Sequence, residues 1–154
     1  MQNEELFVVD VNVVISAVFN KGDSLNVFFW NALYNKFNFI APQFLYIELG
    51  KHTDRIARET KYSLLEATKI LKFVIKQIKF VSDTEFSDKI EEAKKILKGH
   101  EKDVPYLALA LKFNCIIFSG DKELKRLIPD KVKTPKELLE EFYSETEQDD
   151  KNRS

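Results

Sequence analysis

Four acidic residues stand at positions from which they can act together. They are Asp10, Glu48, Asp103 and Asp121. Four carboxylates in one cleft repel one another strongly unless a hard cation neutralises them. A ligand set made only of oxygen atoms favours Mg²⁺ or Mn²⁺ over zinc. The chemistry that we expect from such a cluster is metal-assisted phosphoryl transfer.

The elements that must position these acids follow from the apolar pattern of the chain. Short apolar strands alternate with helices, which predicts an α/β sandwich with a mainly parallel central sheet flanked by helices. Strands are predicted over residues 6–9, 37–41, 78–81 and 115–118. Ser63 and Thr134 are predicted helix caps, because each is followed three residues later by Glu. Pro42 is predicted to begin the next helix, and the last helix is predicted over residues 135–143.

The acids fall where strands of a parallel sheet end. Asp10 directly follows the first strand, and Asp121 follows the strand at 115–118 by three residues. Glu48 lies in the helix entered from the strand at 37–41. The carboxyl ends of parallel strands line the ligand crevice of an open sheet. Asp103, at the start of the helix that leads into the strand at 115–118, is expected on the same edge.

Each acid also has a structural alternative. Asp10 can be a turn residue at a strand end, and Glu48 can be an ion-pair partner of Lys51. Asp103 can be only a helix cap, and Asp121 can be the N-cap of the short helix that follows it. The joint placement of the four acids favours a shared site over these separate explanations.

The motifs around the acids resemble those of the PIN-domain ribonucleases. VVDVNVVISA at 8–17 is similar to the first motif of that family, and residues 42–48 are similar to the second. KDVPYLALA at 102–110, followed by IFSGDKEL at 117–124, resembles the third and fourth. The order and spacing match across residues 6–128, and the likeness is greatest to VapC-like toxins of toxin–antitoxin pairs.

This resemblance implies a PIN-like three-layer sandwich in which the four acids bind one or two Mg²⁺ or Mn²⁺ ions. In such enzymes a metal-activated water attacks an RNA phosphodiester and leaves a 5′-phosphate and a 3′-hydroxyl. Asn12 and Ser119 match the polar positions that hold the carboxylates of Asp10 and Asp121. The implied function is that of an endoribonuclease, the toxin of a type II pair. A PIN nuclease of RNA processing, or an inactive PIN scaffold that binds RNA or protein, is the alternative.

The chain departs from the family pattern near the acids. Val11 stands where the family usually has Thr, which removes one hydroxyl near the metal. Glu101 and Glu123 can each compete for a ligand role. Asp103 is preferred over Glu101 because it is aligned with the apolar helix that follows.

Composition excludes several other mechanisms. Only one cysteine, Cys115, is present, and it lies in an apolar strand where we expect it to be buried. His52 and His100 are isolated in the sequence and are expected on the surface, so no histidine pair is available for a metal-free ribonuclease. An aspartyl phosphatase would need a second acid at position 12, where the chain has Asn12. Only four glycines are present, and they form no phosphate-binding loop.

The chain of 154 residues is expected to form a single domain over residues 1–143, followed by a polar, flexible tail at 144–154. No apolar run approaches the ~18 residues of a membrane span. Glu4 and Glu5 stand where a signal peptide carries positive charge. We therefore expect a cytoplasmic protein without a membrane anchor.

Two surfaces are candidates for binding partners. Residues 51–80 contain eight lysines and arginines against three acids, and Lys51 and Arg55 share a helical stripe with Glu48. They are predicted to bind RNA, with an ordinary solvated basic face as the alternative. The helix that contains Phe29, Trp30 and Tyr34 is richer in aromatic residues than one buried face requires. Part of it is predicted to form a homodimer or antitoxin interface, the alternative being that it all lies in the core.

Overall fold

Five parallel strands form the central sheet of the computed structural model, which describes residues 5–60 and 62–153. The strands are β1 (Leu6–Val9), β2 (Asn38–Pro42), β3 (Ile78–Val81), β4 (Ile116–Phe118) and β5 (Val132–Lys133). Their spatial order is β3-β2-β1-β4-β5, so the chain builds the sheet outward from β1 in one direction and then returns to its other side. The strand order therefore reverses between β1 and β4, which is where open α/β sheets bind ligands.

The helices lie in two layers on the sheet. They are α1 (Val11–Asn20), α2 (Gly22–Tyr34), α3 (Phe44–Glu59), α4 (Leu64–Ile75), α5 (Ile90–Leu97), α6 (Val104–Phe113), α7 (Lys122–Leu127) and α8 (Pro135–Arg153). Helix α1 packs against α2, α3 and α4, and α8 packs against α2. Helix α6 packs against α5 and against β1 and β2. The predicted three-layer α/β sandwich is confirmed, and every strand pair is parallel.

The core explains why the central strands are almost wholly apolar. Helices cover both faces of the sheet, so consecutive residues of β1 and β4 are buried whichever face they point to. Phe39 stacks on Phe118 with ring centroids 5.8 Å apart, and Phe28 of α2 contacts both rings. Cys115 is buried as predicted, and burial raises the pKa of its thiol to about 12. A thiol held protonated in this way is a packing residue and not a nucleophile.

Both predicted helix caps are present, and the one at Thr134 forms a complete, reciprocal capping box. The hydroxyl of Ser63 accepts a hydrogen bond from the Glu66 amide at 3.1 Å, at the start of α4. At the start of α8 the Thr134 hydroxyl accepts from the Glu137 amide at 3.2 Å, and the Glu137 carboxylate accepts from the Thr134 amide at 3.1 Å. Local sequence therefore determines where these two helices begin.

The prediction that Pro42 begins a helix is wrong. Pro42 is the last residue of β2 and is paired with Val81 of β3. The pairing extends one residue further, because the Gln43 amide donates to the Val81 carbonyl at 3.2 Å. The φ angle of proline also suits extended backbone, and a strand end tolerates its missing N–H. Helix α3 consequently begins at Phe44.

The prediction that the last helix ends at Tyr143 is also wrong, because α8 continues to Arg153. Residues 144–153 contain no proline or glycine, and several of them are good helix formers. The Ser144 hydroxyl donates to the Glu140 carbonyl at 2.9 Å, and Glu145 forms an ion pair with Lys36. The polar extension is thus helical, and its flexibility stays a prediction. Predictions that involve residues 1–4, residue 61 or residue 154 lie outside the described residues.

The single-domain organisation over residues 1–143 stays a prediction. Within the described ranges, no helix is both long enough and apolar enough to cross a membrane.

Candidate functional site

Asp10 lies at the point where the strand order reverses. It directly follows β1, and its amide donates to the carbonyl of Phe118, the last residue of β4, at 3.0 Å. The Ser119 amide in turn donates to the Lys133 carbonyl of β5 at 3.1 Å. These main-chain bonds hold the carboxyl ends of β1, β4 and β5 in register. Asp10 and Ser119 are buried here, with 4% and 0% of their surfaces exposed.

A compact network of hydrogen bonds holds the Asp10 carboxylate. Its Oδ2 accepts from the Ser119 hydroxyl at 2.8 Å and from the Asn12 amide group at 3.1 Å. The Ser119 oxygen also accepts from Asn12 Nδ2 at 3.2 Å and from the Asp121 main-chain amide at 3.1 Å. Asn12 Oδ1 accepts from the Gly120 amide at 3.1 Å. One donated and two accepted bonds use the full capacity of the serine hydroxyl, so its orientation is fixed.

Asn12 and Ser119 thus contact the Asp10 carboxylate directly. The resemblance implied that they also hold the Asp121 carboxylate, but Ser119 reaches Asp121 only through its main-chain amide. The Asp121 carboxylate is held by α7 itself. Its Oδ1 accepts from the amides of Glu123 and Leu124 at 2.9 and 3.2 Å.

Asp121 is therefore the N-cap of α7, as its structural alternative proposed, while its charge also acts on Asp103. Both capping bonds end on Oδ1, and they leave Oδ2 outside the cap. Asp103 is the opposite case. It stands at the N-cap position of α6 but makes no side-chain capping bond, and it is half-buried. The capping alternative accounts for the position of Asp121 but not for that of Asp103.

Glu48 enters the site from α3, which begins directly after β2. Its carboxylate Oε1 accepts a hydrogen bond of 2.5 Å from the hydroxyl of Tyr106, a buried residue of α6. The alternative role for Glu48, an ion pair with Lys51, does not occur among the residues that the structure describes. Tyr106 is the residue that sequence reasoning missed. Tyr106 follows Asp103 by three residues, a spacing that puts both side chains on one helical face. That spacing was the sequence signal from which a place for Tyr106 near the acids could have been predicted.

The four carboxylates interact electrostatically. Burial raises the pKa of Asp10 to about 7, the Ser119 hydrogen bond opposes that rise, and the charges of Asp103 and Glu48 add to it. Burial also raises the pKa of Asp103, with further increases from Asp121 and Glu48. Glu48, Asp103 and Asp121 thus each make the ionised form of another acid less favourable. His100, half-buried and expected to be isolated, lowers the pKa of Asp103.

No lysine or arginine within the described ranges forms an ion pair with any of the four acids. In the same part of the chain, no three His, Cys, Asp or Glu side chains are gathered closely enough to hold a metal ion. Three of the carboxylates are held instead by neutral hydrogen-bond donors: Asp10 by Ser119 and Asn12, Glu48 by Tyr106, and Asp121 by the first turn of α7. The set consists only of oxygen ligands, which fits Mg²⁺ or Mn²⁺ chemistry.

The competing acids lie outside this network. Glu123 is exposed and forms an ion pair with Arg126, and this hydrogen-bonded contact lowers the pKa of Glu123. Glu101 is also exposed, whereas Asp103, two residues later, is half-buried. Val11 is buried at the start of α1. A side chain without a hydroxyl at this position packs into the core and adds no polar atom near the acids.

The two basic residues predicted to bind RNA are exposed on α3. Arg55 donates to the Glu59 carboxylate at 2.9 Å, and its guanidinium carbon lies 4.8 Å from the ring centroid of Phe19. Both charged groups of that pair are more than half exposed, so the pair contributes little to stability. Lys51 has no ion pair in the described part of the chain.

Comparison with known proteins gives a family and a fold. The family model of the PIN domain matches residues 8–139. The present chain aligns with one chain of a crystal structure of VapBC2 from Rickettsia felis bound to a promoter DNA fragment. The TM-score is 0.62 and the sequence identity is 12%. The alignment covers 84% of the present chain and 98% of that one. At this identity the likeness shows a shared fold. No functionally curated protein matches the sequence.

Replacing Asp10 by Asn should stabilise the metal-free protein at neutral and alkaline pH. The folded chain keeps the Asp10 proton up to about pH 7, whereas the unfolded chain loses it near 3.8. Between these values the folded state binds the extra proton, so the stability of the unmodified protein falls as pH rises and levels off above about 7. At 1.36 kcal/mol per pH unit, the contribution of Asp10 is at most about 4 kcal/mol.

Urea unfolding in a chelator at pH 5 and pH 8 measures this effect. We expect the loss of stability between the two pH values to be much smaller in Asp10→Asn than in the unmodified chain. Asp130→Asn, at an exposed position, is the matched control and should leave the difference unchanged. Parallel pH curves for Asp10→Asn and the unmodified chain would contradict the raised pKa.

Proposed function

The chain belongs to the PIN-domain family, and on this basis we propose that it is a metal-dependent endoribonuclease that hydrolyses RNA phosphodiester bonds in the cytoplasm. One observation carries the proposal. Four carboxylates lie around the switch point of a parallel sheet, the pKa values of Asp10 and Asp103 are raised in part by the neighbouring acids, and no described lysine or arginine forms an ion pair with any of the four. A purely structural role would not favour an arrangement that opposes folding at neutral pH.

The residues that would hold one or two Mg²⁺ or Mn²⁺ ions are Asp10, Glu48, Asp103 and Asp121. A bound divalent cation supplies positive charge that offsets the carboxylates and polarises the scissile phosphate. Asn12 and Ser119 orient Asp10, and the α7 cap orients Asp121 through one carboxylate oxygen. These neutral donors fix the acids in place without cancelling their charge, so the negative potential of the cleft remains available to a cation.

Lys51 and Arg55 are proposed to bind the RNA backbone beside this cleft. On α3 they lie three and seven residues after Glu48, which places all three side chains along one stripe of the helix. Lys51 has no competing ion pair among the described residues, and Arg55 has only an exposed one that a phosphate can replace. Contacts of this kind bind phosphates without reading the base sequence.

The biological role that we propose is that of the toxin in a type II toxin–antitoxin pair. The fold shared with a chain of the VapBC2 complex supports this assignment. The exposed side of α2 supports the presence of a protein partner. Val27 and Phe28 are wholly buried, but Phe29 is 48% exposed and Leu33, one turn later, is 63% exposed. Trp30 is half-buried and stacks on Tyr34. We propose that this aromatic face of α2 binds a second copy of the chain or a small antitoxin.

Asp10→Asn and Asp121→Asn should each reduce RNA cleavage in Mg²⁺ to below about one hundredth of the unmodified rate, because each removes a charge that holds the cation. The measurement is cleavage of a 5′-labelled single-stranded RNA, with the product ends identified as 5′-phosphate and 3′-hydroxyl. Asp130→Asn should cleave normally. Full cleavage by either site variant contradicts the assignment, and RNA binding without cleavage by the unmodified chain indicates an inactive scaffold.

Arg55→Ala and Lys51→Ala should each weaken the binding of unrelated single-stranded RNAs about equally. Each phosphate contact that is lost reduces the number of counterions released when RNA binds. The magnitude of the slope of log K against log salt concentration should therefore fall by about 0.7 for each variant. Fluorescence anisotropy between low and moderate salt measures that slope. Lys36→Ala is the control, because Lys36 lies before the amino end of β2, whereas the acids follow the carboxyl ends of the strands. An unchanged slope would show that Lys51 and Arg55 do not contact the RNA and form an ordinary solvated basic face.

Changing Phe29 and Leu33 together to serine should abolish the α2 contact without unfolding the chain, since both side chains are exposed in the monomer. Light scattering after size-exclusion chromatography measures the mass of the isolated chain and of its mixture with any co-encoded small protein. We expect a dimer or a heteromeric complex that the double variant loses. A chain that stays monomeric in both experiments would contradict a partner on this face.

A further inference from the structure

Tyr106 connects the helix that follows Asp103 to the helix that carries Glu48. It lies on α6 with 1% of its surface exposed, and its hydroxyl donates to Glu48 Oε1 across 58 positions of sequence. Its ring also packs edge to face against Phe44, the first residue of α3, with centroids 6.3 Å apart. The same side chain therefore contacts both the beginning of α3 and its acidic residue one turn later.

Packing explains the ring of Tyr106 but not its hydroxyl. The neighbouring residues of α6 from Val104 to Leu111 are apolar or proline, and most of them are buried. A phenylalanine would fill the same space without the cost of burying a polar group, which is offset only when that group has a partner. The partner here is a carboxylate of the cleft. Within the described part of the chain, Tyr106 provides the one hydrogen bond to the Glu48 carboxylate.

We propose that Tyr106 is a positioning residue that holds Glu48 in the orientation needed to bind the divalent cation. This inference rests on the proposed function. The hydrogen bond uses one lone pair of Oε1, so the Glu48 carboxylate keeps other lone pairs for a cation. Without the hydroxyl, repulsion from Asp10 and Asp103 would drive the half-buried Glu48 toward solvent.

The hydroxyl of Tyr106 remains a hydrogen-bond donor at neutral pH. Burial raises its pKa above the ordinary value, and the hydrogen bond and charge of Glu48 raise it further. The phenol therefore stays protonated, and its role does not depend on its own titration. A neutral donor of this kind orients a carboxylate and leaves its negative charge available to attract the cation. A lysine in the same place would offset that charge.

The test is a double-mutant cycle read by Mn²⁺ affinity, measured by electron paramagnetic resonance without substrate. Tyr106→Phe should weaken Mn²⁺ binding at least about tenfold, the loss typical of residues that orient metal ligands. In a Glu48→Gln background the same change should alter the affinity by less than about twofold, because the hydroxyl acts through the Glu48 carboxylate. Tyr143→Phe, on a half-exposed residue of α8, should have no effect in either background.

Equal losses in both backgrounds would assign Tyr106 to packing and overturn the inference, as would an unchanged affinity in Tyr106→Phe. Melting temperatures in a chelator verify that each variant folds. If Tyr106→Phe unfolds, Glu48→Asp takes its place, because it leaves the core intact and shortens the acid beyond reach of the hydroxyl. Its affinity should fall at least about tenfold, and an unchanged affinity overturns the inference.

The cycle also separates this inference from the proposed function. If the unmodified chain binds no Mn²⁺, or if Glu48→Gln leaves the affinity unchanged, the proposed metal site fails and the inference fails with it. If Glu48→Gln weakens binding but Tyr106→Phe does not, only the positioning role of Tyr106 is overturned.

Discussion

Repulsion between the buried carboxylate of Asp10 and the half-buried acids beside it is the constraint on which the rest of this structure depends. Asp10 is nearly inaccessible at the end of β1, and the charges of Asp103 and Glu48 make its ionised form still less favourable. The fold holds such groups together by giving them neutral donors. Ser119 and Asn12 bind Asp10, Tyr106 binds Glu48, and the first turn of α7 binds Asp121. Each donor belongs to an element that the parallel sheet brings to one edge.

These donors fix the positions of the acids but do not neutralise their charge. A site that served only stability would pair buried acids with lysine or arginine, or replace them by apolar residues. No described lysine or arginine forms an ion pair with these acids, and ionising the buried Asp10 costs stability near neutral pH. Proteins tolerate such costs where function requires them. The divalent cation that we propose for this cleft would relieve the repulsion and supply the charge needed for phosphodiester hydrolysis.

Local sequence rules predicted much of the fold. The apolar runs gave four of the five strands, and Ser63 and Thr134 gave two helix starts, because these features depend on a few neighbouring residues. The errors occur where contacts between residues distant in sequence determine the local structure. Pro42 remains in β2 because β3 pairs with it, and the two-residue strand β5 was missed because it is defined by its pairing with β4. The link from Tyr106 to Glu48 spans 58 residues and has no local pattern beyond a helical spacing.

The central claim is that the acids at the edge of β1 and β4 form one cation site. Titration of the unmodified chain with Mn²⁺ at pH 6 and pH 8, followed by electron paramagnetic resonance, tests it directly. One or two ions should bind per chain, and binding should be tighter at pH 8, because protons on Asp10, whose pKa is about 7, compete with the cation. Binding that is equally strong at both pH values, or absent at both, would contradict a site built on these carboxylates.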